Sequence, residues 1–286
     1  MKLAVITDSS AAISDKYRRF DNLHILDIPL TIDDVTYSSK ELSSDVFYDL
    51  MASAKDVPKS AQPSLIELEE LLKHLEVQGY THVLGLFLSA GISGFHDNAF
   101  YLQDEFEKMK VCFPETFITS SPLGYMVETA LEGAVRNLSF EDVYANFEKQ
   151  RDNDAAYMLV DSLKWLSKSG RLSNGSAVLG TWLDIKPVLT FSTNGKVELF
   201  EKVRTVKKSM ARMKELLLEN SDPEKHKIFV IQVRADEKAQ ELYDYAIEQG
   251  YPNVEIVDFG AVIATHLGLG SVAYAVSPEI FRGLEA

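Results

Sequence analysis

Apolar positions along this chain switch between continuous runs, which suit buried strands, and a three-to-four-residue spacing, which suits helices. The run from Lys2 to Thr7 predicts a first strand, Asp8-Ser-Ser10 a turn or helix cap, and Ile13–Phe20 a helix. A second strand is expected over His24–Pro29, followed by a short hairpin over Thr31–Tyr37 that turns at Asp33-Asp34. Helical spacing returns in Ser44–Ser53 and in Ser64–Val77, where Leu65, Leu68, Leu71, Leu72 and Leu75 share one face. Thr81–Leu88 reads as a strand leading into a helix over Gly94–Lys110. Phe117–Thr119 reads as a short strand, and Leu123–Asn137 and Ser139–Asn153 as helices.

The alternation continues beyond residue 153. Ala155–Val160, Pro187–Phe191, Lys196–Val203, Lys227–Val233 and Val254–Asp258 are expected strands, with helices at Ser162–Ser167, Thr205–Leu218 and Glu237–Glu248. Asn194-Gly195 is a hairpin signal between two of those strands. The pattern predicts an α/β fold with mostly parallel sheets, whose ligand sites sit at the carboxyl ends of the strands. At 286 residues the chain has room for two domains, expected at 1–153 and 154–286.

Composition narrows the function. A net charge of −14 argues against nonspecific nucleic-acid binding, which depends on cations against phosphate. No apolar run reaches the length of a membrane span, and the opening run is too short for a secretory leader. Cys112 is the sole cysteine, so an internal disulfide and a cysteine zinc cluster are excluded; a reducing cytoplasm fits, and Cys112 reads as packing. The charge is uneven: Lys164–Lys214 carries eleven basic residues against three acids. That run is either a solvated face or a docking surface for an acidic or phosphorylated partner.

Chemistry concentrates in Leu84-Gly-Leu-Phe-Leu-Ser-Ala-Gly-Ile-Ser-Gly-Phe-His-Asp-Asn-Ala99, an apolar run that stops at glycines and serines. A strand, tight loop and helix in that order would aim backbone N–H groups and the helix dipole at an anion beside Ser89 and Ser93. The spacing is neither a dinucleotide fingerprint nor a phosphate loop, and a plain capped turn uses the same residues. Gly260-Ala-Val-Ile-Ala-Thr-His-Leu-Gly-Leu-Gly270 follows a predicted strand and sets His266 among small and apolar residues, a pattern shared by ordinary core histidines. Lys59-Ser-Ala-Gln-Pro-Ser64 and Ser169-Gly-Arg-Leu-Ser173 are polar loops that alone would pass as turns and caps.

Taken in order, Thr7-Asp-Ser-Ser10, Pro29-Leu-Thr-Ile32, Ser60-Ala-Gln-Pro-Ser64, Leu88-Ser-Ala-Gly-Ile-Ser-Gly94, Gly170-Arg-Leu-Ser173 with Ile185-Lys-Pro187, Lys202-Val-Arg204 and Gly260–His266 resemble the DegV family over nearly the full length. The resemblance implies two α/β domains holding a long-chain fatty acid between them. It implies a non-catalytic, cytoplasmic subunit of bacterial fatty acid kinase, without a cofactor. Such a subunit presents the carboxylate to a separate ATP-dependent kinase subunit, which forms acyl phosphate so that exogenous fatty acid enters phospholipid synthesis; transient membrane contact fits this role. Ser93, Gly94, Ser60, Ala61, Gln62, His266 and Arg171 would surround the carboxylate, and Lys202, Arg204, Lys207 and Lys208 would help to dock the kinase. Two positions depart from the family pattern: Ala61 stands where a second hydroxyl is usual, and Ser169 where a glycine is usual.

A competing reading makes the chain a serine hydrolase or acyltransferase using Ser93 and His266. Gly91-Ile-Ser-Gly-Phe95 lacks the closing glycine of a nucleophile elbow, and no acid declares itself as third member. Another carboxylate amphiphile, such as a retinoid, is equally compatible with the residues alone.

Overall fold

The computed structural model describes residues 1–173 and 185–282. Strand β1 (Leu3–Asp8) is buried along its whole length, as expected of an apolar run inside a parallel sheet. It pairs in parallel with β2 (Leu23–Leu26) on one side. The chain then forms a hairpin, β3 (Leu30–Ile32) and β4 (Val35–Tyr37), whose turn residues Asp33 and Asp34 both take positive φ, as a two-residue hairpin turn requires. Helix α1 (Ser44–Ser53) follows, capped by the Ser43 hydroxyl, and β5 (Lys59–Ser60) adds to β3 as a third antiparallel strand. Helix α2 (Leu65–Val77) is capped by Ser64 and buries Leu68, Leu72 and Leu75.

Strand β6 (His82–Leu86) returns beside β1, and β7 (Lys110–Cys112) completes a four-stranded parallel sheet in the order β2-β1-β6-β7. Between them the expected long helix is short. Helix α3 (Phe95–Ala99) gives way to a single 3₁₀ stretch over Phe100–Asp104, and Lys110 lies in the sheet. The expected helix at Ile13–Phe20 is a series of turns, with the Arg18 guanidinium donating to the Ile13 carbonyl. The expected strand at Phe117–Thr119 is irregular, because Phe117 takes a φ of 57°. Helices α4 (Ser120–Val135) and α5 (Phe140–Arg151) then lead into the second half.

There, β8 (Ala155–Leu159), helix α6 (Lys164–Ser169), β9 (Val188–Phe191), β10 (Val197–Glu201), α7 (Val206–Asn220), β11 (His226–Gln232), α8 (Asp236–Glu248), β12 (Val254–Asp258), α9 (Ala261–Leu267) and β13 (Val272–Pro278) complete the α/β chain. The six strands run β10-β9-β8-β13-β11-β12. Only β11 and β12 pair in parallel. The second sheet is therefore mixed, for two reasons: the β9–β10 hairpin is too tight for a parallel crossover, and β13 inserts antiparallel between β8 and β11. The largest apolar core is continuous across both sheets, joining Val5, Leu86 and Leu88 to Phe229, Ile231 and Ala273.

Candidate functional site

A cavity with about 1000 Å³ of unfilled space, its mouth included, opens inside that shared core. Its wall is mostly hydrocarbon, with Ile28, Leu88 and Ile92 from the first half and Met158, Ile231 and Val262 from the second. The wall also carries polar groups. Ser60, Ala61, Gln62, Ser93, Gly94, Arg171 and His266 all line this one cavity, although they come from four separate stretches of sequence.

Strand β5 fixes Ser60 by pairing with Leu30, and the Ala61 N–H donates to the Pro29 carbonyl at 2.9 Å. Across the cavity, α9 carries His266, whose Nε2 lies 2.8 Å from the Ser60 hydroxyl. Burial, aided by the positive charge of Arg171, pushes the His266 pKa down to about 4, so the ring is neutral at physiological pH. Its Nδ1 is buried without a partner among the described residues. Asn98 donates to the Gln62 side-chain oxygen at 3.0 Å, and this leaves the Gln62 amide nitrogen against Gly94. The Ser93 hydroxyl oxygen accepts from the Phe95 N–H at 3.3 Å, which leaves its own hydrogen free to donate.

The glycine–serine loop is less of an anion cradle than its sequence promises. Ser89 is fully buried, and its hydroxyl donates to the Gly195 carbonyl while accepting from the Gly91 N–H. The Ala90 N–H is taken by Glu115, and those of Ile92 and Ser93 by the Ser89 carbonyl. Helix α3 spans only five residues, which leaves little aligned dipole. Gly91 serves packing instead: a Cβ there would lie 2.3 Å from the Gly195 backbone, where the β9–β10 turn meets the loop. Asp8 anchors this loop by accepting from the Leu88 and Ser10 N–H groups at 2.7 and 2.9 Å, and its burial raises its pKa.

Outside the Ser60–His266 pair, Asp56, Lys59, Lys168 and Arg171 line a shallow cleft that shares Ser60, Arg171 and His266 with the cavity. Residues 2–279 match the model of the DegV family, which is described as uncharacterised proteins. The chain belongs to the DegV family.

A DegV domain-containing protein of Lactococcus lactis is 66% identical over 98% of this chain and 100% of its own. A solved structure described as a fatty acid binding DegV family protein from Streptococcus agalactiae is 44% identical, covers 98% of this chain and 99% of its own, and superposes with a TM-score of 0.93. DegV from Bacillus subtilis, described as a fatty acid binding protein, is 30% identical, covers 98% and 100%, and superposes at 0.86.

In this DegV chain Lys202, Arg204, Lys207 and Lys208 do not line the cavity; all four are exposed, just after β10 and at the start of α7. Elsewhere in the basic run, Arg212 meets Glu201, Glu215 and Glu219, Lys214 meets Glu241 and Lys186 meets Asp161. Residues 174–184 of that run lie outside the described residues. Sequence reading missed Thr119 and Ser120, which line the cavity at the start of α4, and Lys59 and Lys168 in the outer cleft. Their only signal was position: Ser120 falls where the turn after β7 meets the loop after β1, through the Ala12 N–H to Ser120 carbonyl bond of 3.1 Å.

Proposed function

We propose that this protein holds a long-chain fatty acid in the apolar cavity, with the carboxylate at Ser60, Ser93 and His266. The observation that carries this reading is a mostly hydrocarbon-lined cavity whose lining includes a neutral, buried histidine paired with a serine. Each buried methylene contributes about 0.8 kcal/mol, so the chain supplies most of the affinity and the polar end sets its register. A neutral donor set with Arg171 beside it satisfies a carboxylate while leaving one modest positive charge nearby. The descriptions of the Streptococcus agalactiae and Bacillus subtilis relatives as fatty acid binding support the same ligand.

In this reading the protein works in the cytoplasm and does no chemistry itself. A separate ATP-dependent kinase subunit phosphorylates the presented carboxylate, and the acyl phosphate feeds phospholipid synthesis. The outer cleft with Lys59, Lys168 and Arg171 suits the approach of phosphate to the head group. Hydrolysis by Ser93 and His266 has less support. The His266 Nε2 is engaged by Ser60, and among the described residues its Nδ1 has no carboxylate to orient it as a base would need.

Mass spectrometry of protein purified and then denatured tests the ligand: a long-chain fatty acid in near-stoichiometric amount is expected, and a different amphiphile or none would overturn the reading. Charge reversal at Arg204 and Lys207 tests the docking role, since unchanged kinase-dependent phosphorylation would remove that surface from the interaction.

A further inference from the structure

Gln62 lines the cavity together with Ser93 and Gly94, and the two ends of its amide act on a carboxylate in opposite ways: the nitrogen donates to it and the oxygen repels it. An exposed glutamine with no partner turns either end toward a ligand. Gln62 does have one. Asn98, in the first turn of α3, donates from its side-chain nitrogen to the Gln62 Oε1 at 3.0 Å. With the oxygen engaged, Nε2 has no acceptor among the described residues and lies against Gly94.

The surrounding backbone supports this orientation. The Asn98 N–H donates to the Gly94 carbonyl at 3.1 Å, which ties the asparagine to the loop that carries Ser93. Pro63 biases Gln62 toward extended backbone, and the Ala61 N–H is held by the Pro29 carbonyl. Gly94 leaves the room: a Cβ there would lie 2.9 Å from the Gln62 Nε2, closer than such atoms pack. Ala61 has no side-chain donor, so the Ser60 hydroxyl and the Gln62 amide are the side-chain donors this loop offers an anion.

We propose that Asn98 is a positioning residue: by holding the Gln62 oxygen it presents the amide nitrogen to the bound carboxylate as a further donor beside Ser93. This rests on the reading of the cavity as a fatty-acid site with its head group at Ser60, Ser93 and His266. Asn98 and Gln62 are both exposed, so replacing either leaves no buried void.

The test is a double-mutant cycle on the delipidated full-length protein, with carboxyl-labelled palmitate as the probe and Asn98→Ala, Gln62→Ala and the double variant beside wild type. Each single substitution is expected to weaken palmitate binding roughly three- to tenfold, and the double variant to bind no worse than Gln62→Ala. The titration midpoint of the bound carboxyl, followed by NMR, should rise in all three variants, because loss of a donor disfavours the charged form. Unchanged affinity in Asn98→Ala, losses that multiply in the double variant, or weakened binding with an unmoved midpoint overturns the inference while leaving the fatty-acid reading intact. Failure of palmitate to bind wild type overturns both.

Discussion

The Ser60 hydroxyl and the His266 imidazole lie 2.8 Å apart, joining a two-residue strand to a helix 206 positions later in the chain. Either direction of that bond leaves one free donor. If Nε2 accepts from Ser60, the proton sits on the unpartnered Nδ1; if Nε2 donates, the serine hydrogen is free. In the second case a carboxylate entering the cavity meets the Ser60 hydroxyl as a donor. Ser60→Ala and His266→Ala are each expected to weaken fatty-acid binding by about 1.5–3 kcal/mol, the double variant by less than their sum. Titration of delipidated protein with palmitate checks this, and additive losses would show that the two residues act independently.

The depressed pKa of His266 links stability to pH. The unfolded ring takes a proton near 6.5 and the folded one near 4, so between those values the unfolded state binds more protons. Stability contributed by this site is therefore lost as pH falls through that window, by about 3 kcal/mol in total. Asp8 and Asp154, buried with raised pKa, act in the opposite sense, so the comparison must be against a variant. Urea unfolding of wild type and His266→Gln across the acid range is expected to give curves that diverge from neutral pH down to the folded pKa. Parallel curves would mean that the ring is not buried neutral.

Packing at the glycine–serine loop gives a third expectation. Gly91→Ala drives a methyl into the Gly195 backbone, which cannot rotate away, and is expected to cost about 2 kcal/mol or more of stability. Gly170→Ala, with open space around a φ of 72°, should cost about 1 kcal/mol from backbone strain alone. Denaturant midpoints of the two variants decide the order.

Tyr48 ties α1 to the segment that precedes α9. Its buried hydroxyl donates to the Phe259 carbonyl, and burial raises its pKa. Tyr48→Phe removes the donor and strands the carbonyl, so a loss of about 1–2 kcal/mol in unfolding free energy is expected. A loss near zero would mean that water replaces the hydroxyl.

Local signals made much of the fold legible. Helix α1 spans the expected Ser44–Ser53 and α2 starts one residue after the expected Ser64, and the turns at Asp33-Asp34 and Asn194-Gly195 fall where expected. What stayed hidden depends on distant partners. β7 forms because Lys110–Cys112 pairs with His82–Leu84, and β13 because it pairs with β8 on one side and β11 on the other; neither pairing leaves a local trace. The same holds for the site. Ser60, Ser93 and His266 were each ambiguous alone. The loop at Ser89 misled because its N–H groups, free in a generic turn, are consumed by Glu115 and by the loop itself.

The most direct measurement follows the ligand's own head group. Carboxyl-labelled palmitate bound to the delipidated protein and observed by NMR should give one resonance at a ratio of one ligand per chain. Its shift and titration should differ from those of palmitate in micelles and revert toward them in the Ser60→Ala, His266→Ala double variant. A resonance that matches micellar palmitate in wild type, or that is unmoved by the double substitution, would contradict a carboxylate held at Ser60 and His266.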